Sequence, residues 1–367
     1  MKKTTPAKTT KAAPVTLGVV GAGMISQFHF RAYQETNTPV RVIADLRPES
    51  AKPWCDKFGA AYVKTPEEVA ASPEINTVAV FGPTSLHYSA VKAALEGGKN
   101  VICEKTLTLC AKDSLELGRL AEKKGLIFYT SYMKRFFPAV QKAKELMPRL
   151  GHLMSVYCRT YQGGGRSDPH TGELDGHFIP GPDGKSPIVR MAGGGVLVCG
   201  GSHLYDLLLF LVGKPQRVYA RQFRRPQESD CDFMTHALLD LEGGGFAHFE
   251  GNWHPLFRIG YQNRGWDEGF EISGVNGRII LQTPIWNQPE HDAPVLKHYD
   301  NETGTWTEHT FDIVCPFGQA ERHYLSQLAK GEQGPQDRYT GYRTDYLLES
   351  TQKSATLNQP LDLHWEA

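Results

Sequence analysis

No pair of cysteines in the chain stands in C-x-x-C spacing; the seven present, Cys55, Cys103, Cys110, Cys158, Cys199, Cys231 and Cys315, are scattered. An odd and dispersed set argues against a disulfide framework and points to reduced thiols in a cytoplasmic setting. There is no excess of either charge: 40 Lys and Arg meet 40 Asp and Glu among 367 residues. That balance disfavours nucleic acid or an anionic membrane as a partner. Apolar runs are short, the strongest lying at 207–212, far below the roughly 20 residues that cross a bilayer, so no transmembrane helix is expected. The opening MKKTTPAKTTKAAP is basic and lacks the apolar segment of a secretory signal, so 1–14 read as a flexible tail. What is present is ordinary for a folded protein: 40% hydrophobic and 22% charged residues, over a length that suggests two domains.

From residue 15 to 134 short apolar runs alternate with amphipathic stretches, the rhythm of parallel strands joined by crossover helices. Strands are expected at 16–20, 41–45, 77–81, 100–103 and 127–130, with helices such as 85–96 and 112–123 between them. This part is predicted to be a doubly wound α/β domain. Beyond 135 the rhythm changes. A helix (138–147), a strand (153–161), a Gly-, Pro- and Asp-rich segment (163–187) and a Leu-rich helix (202–212) precede strand-like runs at 217–223, 232–241, 245–253, 270–272, 278–282 and 305–311. Helices at 317–328 and 342–354 close the chain. The region 135–367 is therefore predicted to be α+β, with a largely antiparallel sheet.

The first strand runs into Gly18-Val-Val-Gly21-Ala-Gly23-Met24-Ile25-Ser26, a G-x-G-x-x-G pattern with Ser in the third place. Gly21 permits the tight turn, Gly23 lets backbone approach a pyrophosphate, and Ser26 is small enough for close helix packing. Asp45 ends the next strand 22 residues after Gly23, where an acid accepts ribose hydroxyls and repels a 2′-phosphate. NAD is the expected cofactor, with NADP not excluded because Arg47 stands nearby. At the end of a later strand, Glu104-Lys105-Thr106 puts a lysine where an open parallel sheet presents its ligand crevice. The third constellation is 193–206, Gly-Gly-Gly-Val-Leu-Val-Cys199-Gly-Gly-Ser202-His203-Leu-Tyr-Asp206. Ser202 reads as an N-cap, which places His203 in a first helical turn whose dipole disfavours imidazolium and leaves a neutral general base. Asp206 would orient the ring or cap the helix.

These segments, in this order, resemble the Gfo/Idh/MocA family of oxidoreductases. Gly21-Ala-Gly23 is similar to the family's dinucleotide loop, Gly82-Pro83-Thr84-Ser-Leu-His87 to its T-P-x-x-x-H segment beside the cofactor, and Glu104-Lys105-Thr106 to its E-K-P. Tyr132-Met-Lys-Arg135-Phe-Phe-Pro138 resembles the entry to the second domain, and 193–206 is similar to G-G-G-x-x-x-D-x-G-x-H-x-x-D. The resemblance implies a Rossmann domain, a second domain with an open sheet commonly used for homo-oligomerisation, and a nicotinamide facing a sugar or cyclitol. It implies that Gly21, Gly23, Met24, Ile25, Asp45, Arg47, Pro83, Thr84, His87, Glu104 and Lys105 contact the cofactor. Lys105 would polarise the reacting hydroxyl and His203 would take its proton, with Tyr132, Arg135, Cys199 and Ser202 shaping the substrate pocket.

Two residues depart from the pattern. Cys199 stands where the family has Asp and Thr106 where it has Pro, suggesting altered substrate geometry or lost catalysis. The segment 163–187 holds Asp168, His170, Glu173, Asp175 and His177; the spacing fits no standard zinc pattern, no metal is expected, and a lid over the substrate is the preferred reading. With Tyr161, Arg166 and His170 such a lid would suit a glycoside, and Trp253, His254 and Trp266 could offer stacking faces. The leading expectation is an NAD-dependent dehydrogenase acting on a secondary hydroxyl of a polyol, sugar or glycoside. An NAD-dependent redox-neutral glycosidase and a non-catalytic sugar or dinucleotide sensor are the alternatives.

Overall fold

Six short strands, β1 (Leu17–Val20), β2 (Val40–Ala44), β3 (Ala61–Val63), β4 (Thr77–Val80), β5 (Asn100–Glu104) and β6 (Phe128–Ser131), form a parallel sheet in the order β3-β2-β1-β4-β5-β6. The computed structural model describes residues 14–163, 178–224 and 229–367. β1 and β4 are buried along their whole length, as strands covered by helices on both faces must be. The covering helices are α1 (Ser26–Glu35), α2 (Pro48–Phe58), α3 (Pro66–Ala71), α4 (Thr84–Glu96) and α5 (Ala111–Lys124). Strand order reverses between β1 and its two neighbours β2 and β4, which opens a crevice at the strands' carboxyl ends. β3, α2 and α3 are not among the elements expected from the sequence. β3 is three residues long and half exposed, so it carries neither the length nor the burial that makes a strand legible.

The chain then passes through a short turn at Met133–Phe136 and α6 (Pro138–Leu146) into a nine-stranded sheet. Its strands are β7 (Leu153–Gly163), β8 (Arg217–Arg224), β9 (Asp232–Asp240), β10 (Phe246–His254), β11 (Trp266–Gly274), β12 (Gly277–Gln282), β13 (Val295–Asp300), β14 (Thr305–His309) and β15 (Leu361–Asp362), ordered β14-β13-β12-β11-β7-β10-β9-β8-β15. Only the β7–β10 pair is parallel; the other pairings are antiparallel. β7 alternates cleanly: Val156, Cys158, Thr160 and Gln162 are buried, while Tyr157, Arg159 and Tyr161 on the opposite face are part-exposed.

The inner face packs on the Leu-rich helix, whose Leu204, Leu207, Leu208 and Leu211 share one core with Val156, Cys158, Phe249, Phe270 and Ile272. That helix departs from expectation at its start. After α7 (Pro187–Ala192) and a glycine bend, helical structure resumes at Val196, passes through a π-turn at Leu197–Gly201, and continues as α8 (Ser202–Leu211). The stretch Pro187–Leu211 is long and apolar enough to span a bilayer by length and composition, longer than the 207–212 run suggested. Yet 83% of its apolar window is buried inside the protein, the state of a core helix.

The last two helices do not stay with the second sheet, as a division at 135 implies. α9 (Pro316–Lys330) lays Phe317, Ala320, Tyr324 and Leu328 against Ile102, Ile127, Tyr129 and Met133, and sets Leu325 into the core beneath β1 and α1. α10 (Thr340–Leu357) bridges the two halves: Asp345 accepts a hydrogen bond from Thr108 N (2.9 Å) and Glu349 from Ala111 N (2.9 Å), while Leu347 and Leu348 join the second core. The tail 1–13 and the potential metal and lid residues Arg166, Asp168, His170, Glu173, Asp175 and His177 lie outside the described residues.

Candidate active site

A cavity of ≈ 760 Å³ starts at the glycine loop after β1 and ends against the helix that carries His203. At the loop, Gly21 has φ +99°, and a Cβ there would sit 2.6 Å from Gly82 N. Both the backbone conformation and the close approach of β4 therefore demand glycine. Gly23 has nothing within 4 Å of where a Cβ would be, so its backbone faces open space. Ser26, fully buried, donates to Gly23 O (2.6 Å) and pins the loop to α1. Asp45, just past β2, accepts from Ala22 N (2.7 Å) with one oxygen and from Arg47 N (2.8 Å) with the other. Its carboxylate is thus fixed beside the loop while keeping lone pairs for a ligand. Met24, Ile25, Arg47, Pro83 and Thr84 line the same end. An open backbone approach at the start of a helix and a carboxylate one strand away fit a dinucleotide, with pyrophosphate over Gly23 and ribose hydroxyls at Asp45. His87 is not on the wall: it is buried, and its two ring nitrogens face Thr106 O (2.8 Å) and Gly82 O (2.9 Å), tying the ends of β4 and β5 together behind the cavity.

At the far end Glu104, Lys105, Cys199 and His203 all line the cavity. The Lys105–Thr106 peptide is cis, and Lys105 Nζ donates to the Cys199 carbonyl at 2.9 Å. That carbonyl lies in the π-turn, an irregularity often found at functional sites. His203 is 8% exposed, and its Nδ1 has no hydrogen-bond partner among the described residues. Burial first, then the charges of Lys105 and Lys134, push its imidazole well below the ordinary value. The imidazole is held neutral, but not by the helix dipole that the sequence suggests. Ser202 is not the N-cap, because the helix begins a turn and a half earlier, where buried Asp232 on β9 accepts from Leu197 N (3.0 Å). His203 is therefore too deep in the helix for the dipole to act on it.

Several expected pocket residues point elsewhere. Arg135 forms a two-pronged ion pair with Asp206, so Asp206 neither orients His203 nor caps the helix. Tyr132 is fully buried and sets its ring edge-on to His203, centroids 6.0 Å apart. Ser202 is also fully buried. Tyr161 projects to the outer sheet face, donating to Glu250 (2.6 Å). Trp253 is buried and His254 nearly so; only Trp266 of that aromatic set lines the cavity.

Other residues take those places. Lys134, 1% exposed, pairs with buried Glu268 on β11 and lies 5.8 Å from the Trp266 ring. The 3₁₀ turn after β6 sends neighbours in opposite directions, so Lys134 rather than Arg135 faces the His203 end. A directed chain supports it: Trp253 Nε1 donates to Gln162 Oε1 (3.1 Å), Gln162 Nε2 to Thr160 Oγ1 (2.9 Å), and Thr160 Oγ1 to Glu268 (2.6 Å). Gln162 reaches the cavity wall, and a Cβ on Gly200 would fall 1.6 Å from its Nε2. Gln162 was legible as the fourth member of the β7 inner row. Trp286 and Phe317 arrive from distant segments and gave no local signal.

The Rossmann domain of an oxidoreductase family, the NAD-binding domain of Gfo/Idh/MocA proteins, matches residues 15–132, and that family's C-terminal domain matches residues 140–280. A scyllo-inositol 2-dehydrogenase (NADP(+)) of Bacillus subtilis is 26% identical over 270 residues, 73% of this chain and 71% of the relative. A levoglucosan dehydrogenase of Pseudarthrobacter phenanthrenivorans is 28% identical over 300 residues, 72% and 73% of the two chains. Among solved structures, a levoglucosan dehydrogenase in complex with NADH and levoglucosan superposes with a TM-score of 0.79 at 20% identity, covering 96% of this chain and 100% of that one. The chain belongs to the Gfo/Idh/MocA family of oxidoreductases, whose NAD-binding Rossmann domain it carries at its amino-terminal end.

Proposed function

We propose that the protein oxidises a secondary hydroxyl of a sugar, cyclitol or glycoside with NAD as hydride acceptor. The observation that carries this reading is the convergence of Lys105 and His203 at the end of a cavity whose other end is the Gly21–Gly23 loop and Asp45. NAD, when bound, takes up hydride; the protein's own groups handle binding, orientation and the proton. Gly23 and the first amides of α1 would hold the pyrophosphate, and Asp45 would accept from the adenosine ribose while opposing the extra charge of a 2′-phosphate. The Lys105 ammonium donates to the reacting oxygen and stabilises charge developing there. His203, kept neutral by burial and by two lysines, receives the hydroxyl proton. Trp266, Trp286 and Phe317 supply apolar faces against which the C–H side of a polyol ring can lie. The substrates named for the relatives, an inositol and an anhydrosugar, support this class.

NADH formation over a panel of inositols, free sugars and glycosides tests the reading, with His203→Ala and Lys105→Ala as controls. Turnover should fall by about 10²–10⁴-fold in each control. Release of aglycone from an aryl glycoside without net NADH would instead support redox-neutral cleavage. NAD binding without turnover across the panel would support a sensor.

A further inference from the structure

We infer that His29 is a positioning residue for the reactive end of the cavity: held between Glu104 and Glu321, it fixes the Glu104 carboxylate, and through it the backbone of Lys105, in the arrangement that receives the nicotinamide. This rests on the dinucleotide reading above and extends it to a residue that never touches the ligand.

His29 sits on the first turn of α1 and is fully buried. Its Nδ1 lies 2.6 Å from Glu321 Oε1 on α9, and its Nε2 lies 3.0 Å from Glu104 Oε1 at the end of β5. Ionised carboxylates only accept hydrogen bonds, so both ring nitrogens must donate and the ring must carry a proton on each. Burial alone would discourage that charge. The hydrogen bonds and charges of the two glutamates outweigh it and push the imidazole up to about 9. In return, His29 leads the groups that hold buried Glu104 below the usual carboxylate range against the opposing effect of burial.

The other oxygen of Glu104 accepts the Lys105 amide at 3.1 Å. Both oxygens are therefore committed, one to each side, and the carboxylate cannot rotate without breaking a bond. The faces of the His29 ring are also used. Phe81 stacks on it with centroids 3.9 Å apart and Phe317 meets it edge-on at 5.4 Å. Glu104, Phe81 and Phe317 all line the cavity, so one buried cation stands behind three members of its wall. The remaining titratable groups around this cluster are Tyr33 on α1, Tyr324 on α9, and Cys103, Lys105 and His87 near Glu104. Burial, followed by nearby negative charge, pushes both phenols and the thiol up, so they stay neutral where His29 is charged. His87 is pushed down, first by burial, and Lys105 lowers Glu104 further.

The test uses His29→Gln, which keeps a donor but loses the charge, and Glu321→Gln, which keeps an acceptor but weakens the charge on His29. Equilibrium NADH binding, followed by nicotinamide fluorescence, is measured from about pH 6 to about pH 8, with thermal melts to verify folding. The wild type should bind with little pH dependence. His29→Gln should bind NADH about tenfold or more weakly, and its affinity should change with pH because buried Glu104 loses the cation that leads in holding its carboxyl down. Glu321→Gln should show a smaller loss that grows toward high pH as His29 deprotonates. In turnover, kcat should fall while the KM for the polyol changes far less. Folded variants with wild-type NADH affinity at every pH would overturn the inference; so would a uniform loss with no pH dependence, the mark of a purely structural role. If His29→Gln fails to fold, Glu321→Gln decides by the same criteria. Because binding is read without turnover, a wild type that binds NADH yet oxidises nothing would count against the proposed reaction and leave this result standing.

Discussion

Arg135 and Asp206 face each other through two parallel hydrogen bonds, Nε to Oδ2 at 2.7 Å and Nη2 to Oδ1 at 2.6 Å. The pair joins the turn after β6 to α8, with Asp206 fully buried and the Arg135 side chain 12% exposed. Removing one partner strands a charge in the interior, which typically costs about 3–5 kcal/mol, whereas replacing both by apolar residues of similar size costs much less. Arg135→Met and Asp206→Leu should therefore each destabilise strongly, and the double variant less than either, by urea denaturation. Near-additive losses would show that the pair is not the unit that matters.

With His203 as the proposed proton acceptor, its lowered pKa sets where the acid limb of the pH profile should fall. Its base form persists until pH falls well below about 6.5, so log kcat/KM against pH should be flat through neutrality and bend down only in the acid range. Lys134→Gln removes one of the two lysines whose charge depresses it, so the bend should move to higher pH. A bend that stays in place would mean another group controls it.

Cofactor choice should depend on Asp45. Asp45→Ser removes the charge that opposes a 2′-phosphate and the two accepted amide bonds from Ala22 and Arg47. Hydrogen bonds to a charged group are worth about 1.5–3 kcal/mol, so the NAD dissociation constant should rise by about 10–100-fold while that for NADP falls. Isothermal titration with both cofactors measures this; unchanged NAD affinity would remove Asp45 from the site.

Asp345 gives a pH-dependent stability. Burial raises it to about 7, with Glu349 adding to the effect and bonds from Ser114 and Thr108 opposing it. A group whose folded pKa lies above its unfolded value contributes fully below about pH 4 and loses that contribution as pH rises through about 7. The loss amounts to at most about 4 kcal/mol. Asp345→Asn should thus be relatively more stable than the wild type at pH 8 than at pH 5, by thermal unfolding at both. A pH-independent difference would contradict the buried-acid account.

What the sequence could reveal was set by how local each signal is. Gly21, Gly23, Ser26 and Asp45 lie within one β-α-β stretch, and the cavity collects all of them but the buried Ser26. Lys105 and His203 stand at the ends of recognisable segments and also reach it. Direction is not legible where it depends on a turn or a distant partner. Lys134 and Arg135 are adjacent, and only the 3₁₀ turn determines which one looks inward. Ser202 has the chemistry of a cap, but Asp232, 35 residues from Leu197, performs that task. β3 was too short and exposed to register, and the bond from His29 to Glu321 spans 292 residues.

That last contact bears on modularity. A Rossmann fragment cut at residue 134 would contain all six strands of its sheet, yet it would expose the faces of Ile102, Tyr129 and Met133 that α9 covers. It would also leave His29 with one carboxylate instead of two. The dinucleotide half is consequently not a cassette that can be moved to another substrate domain at the strand boundary. Any functional chimera must carry the 316–330 helix along with it, as a discontinuous graft.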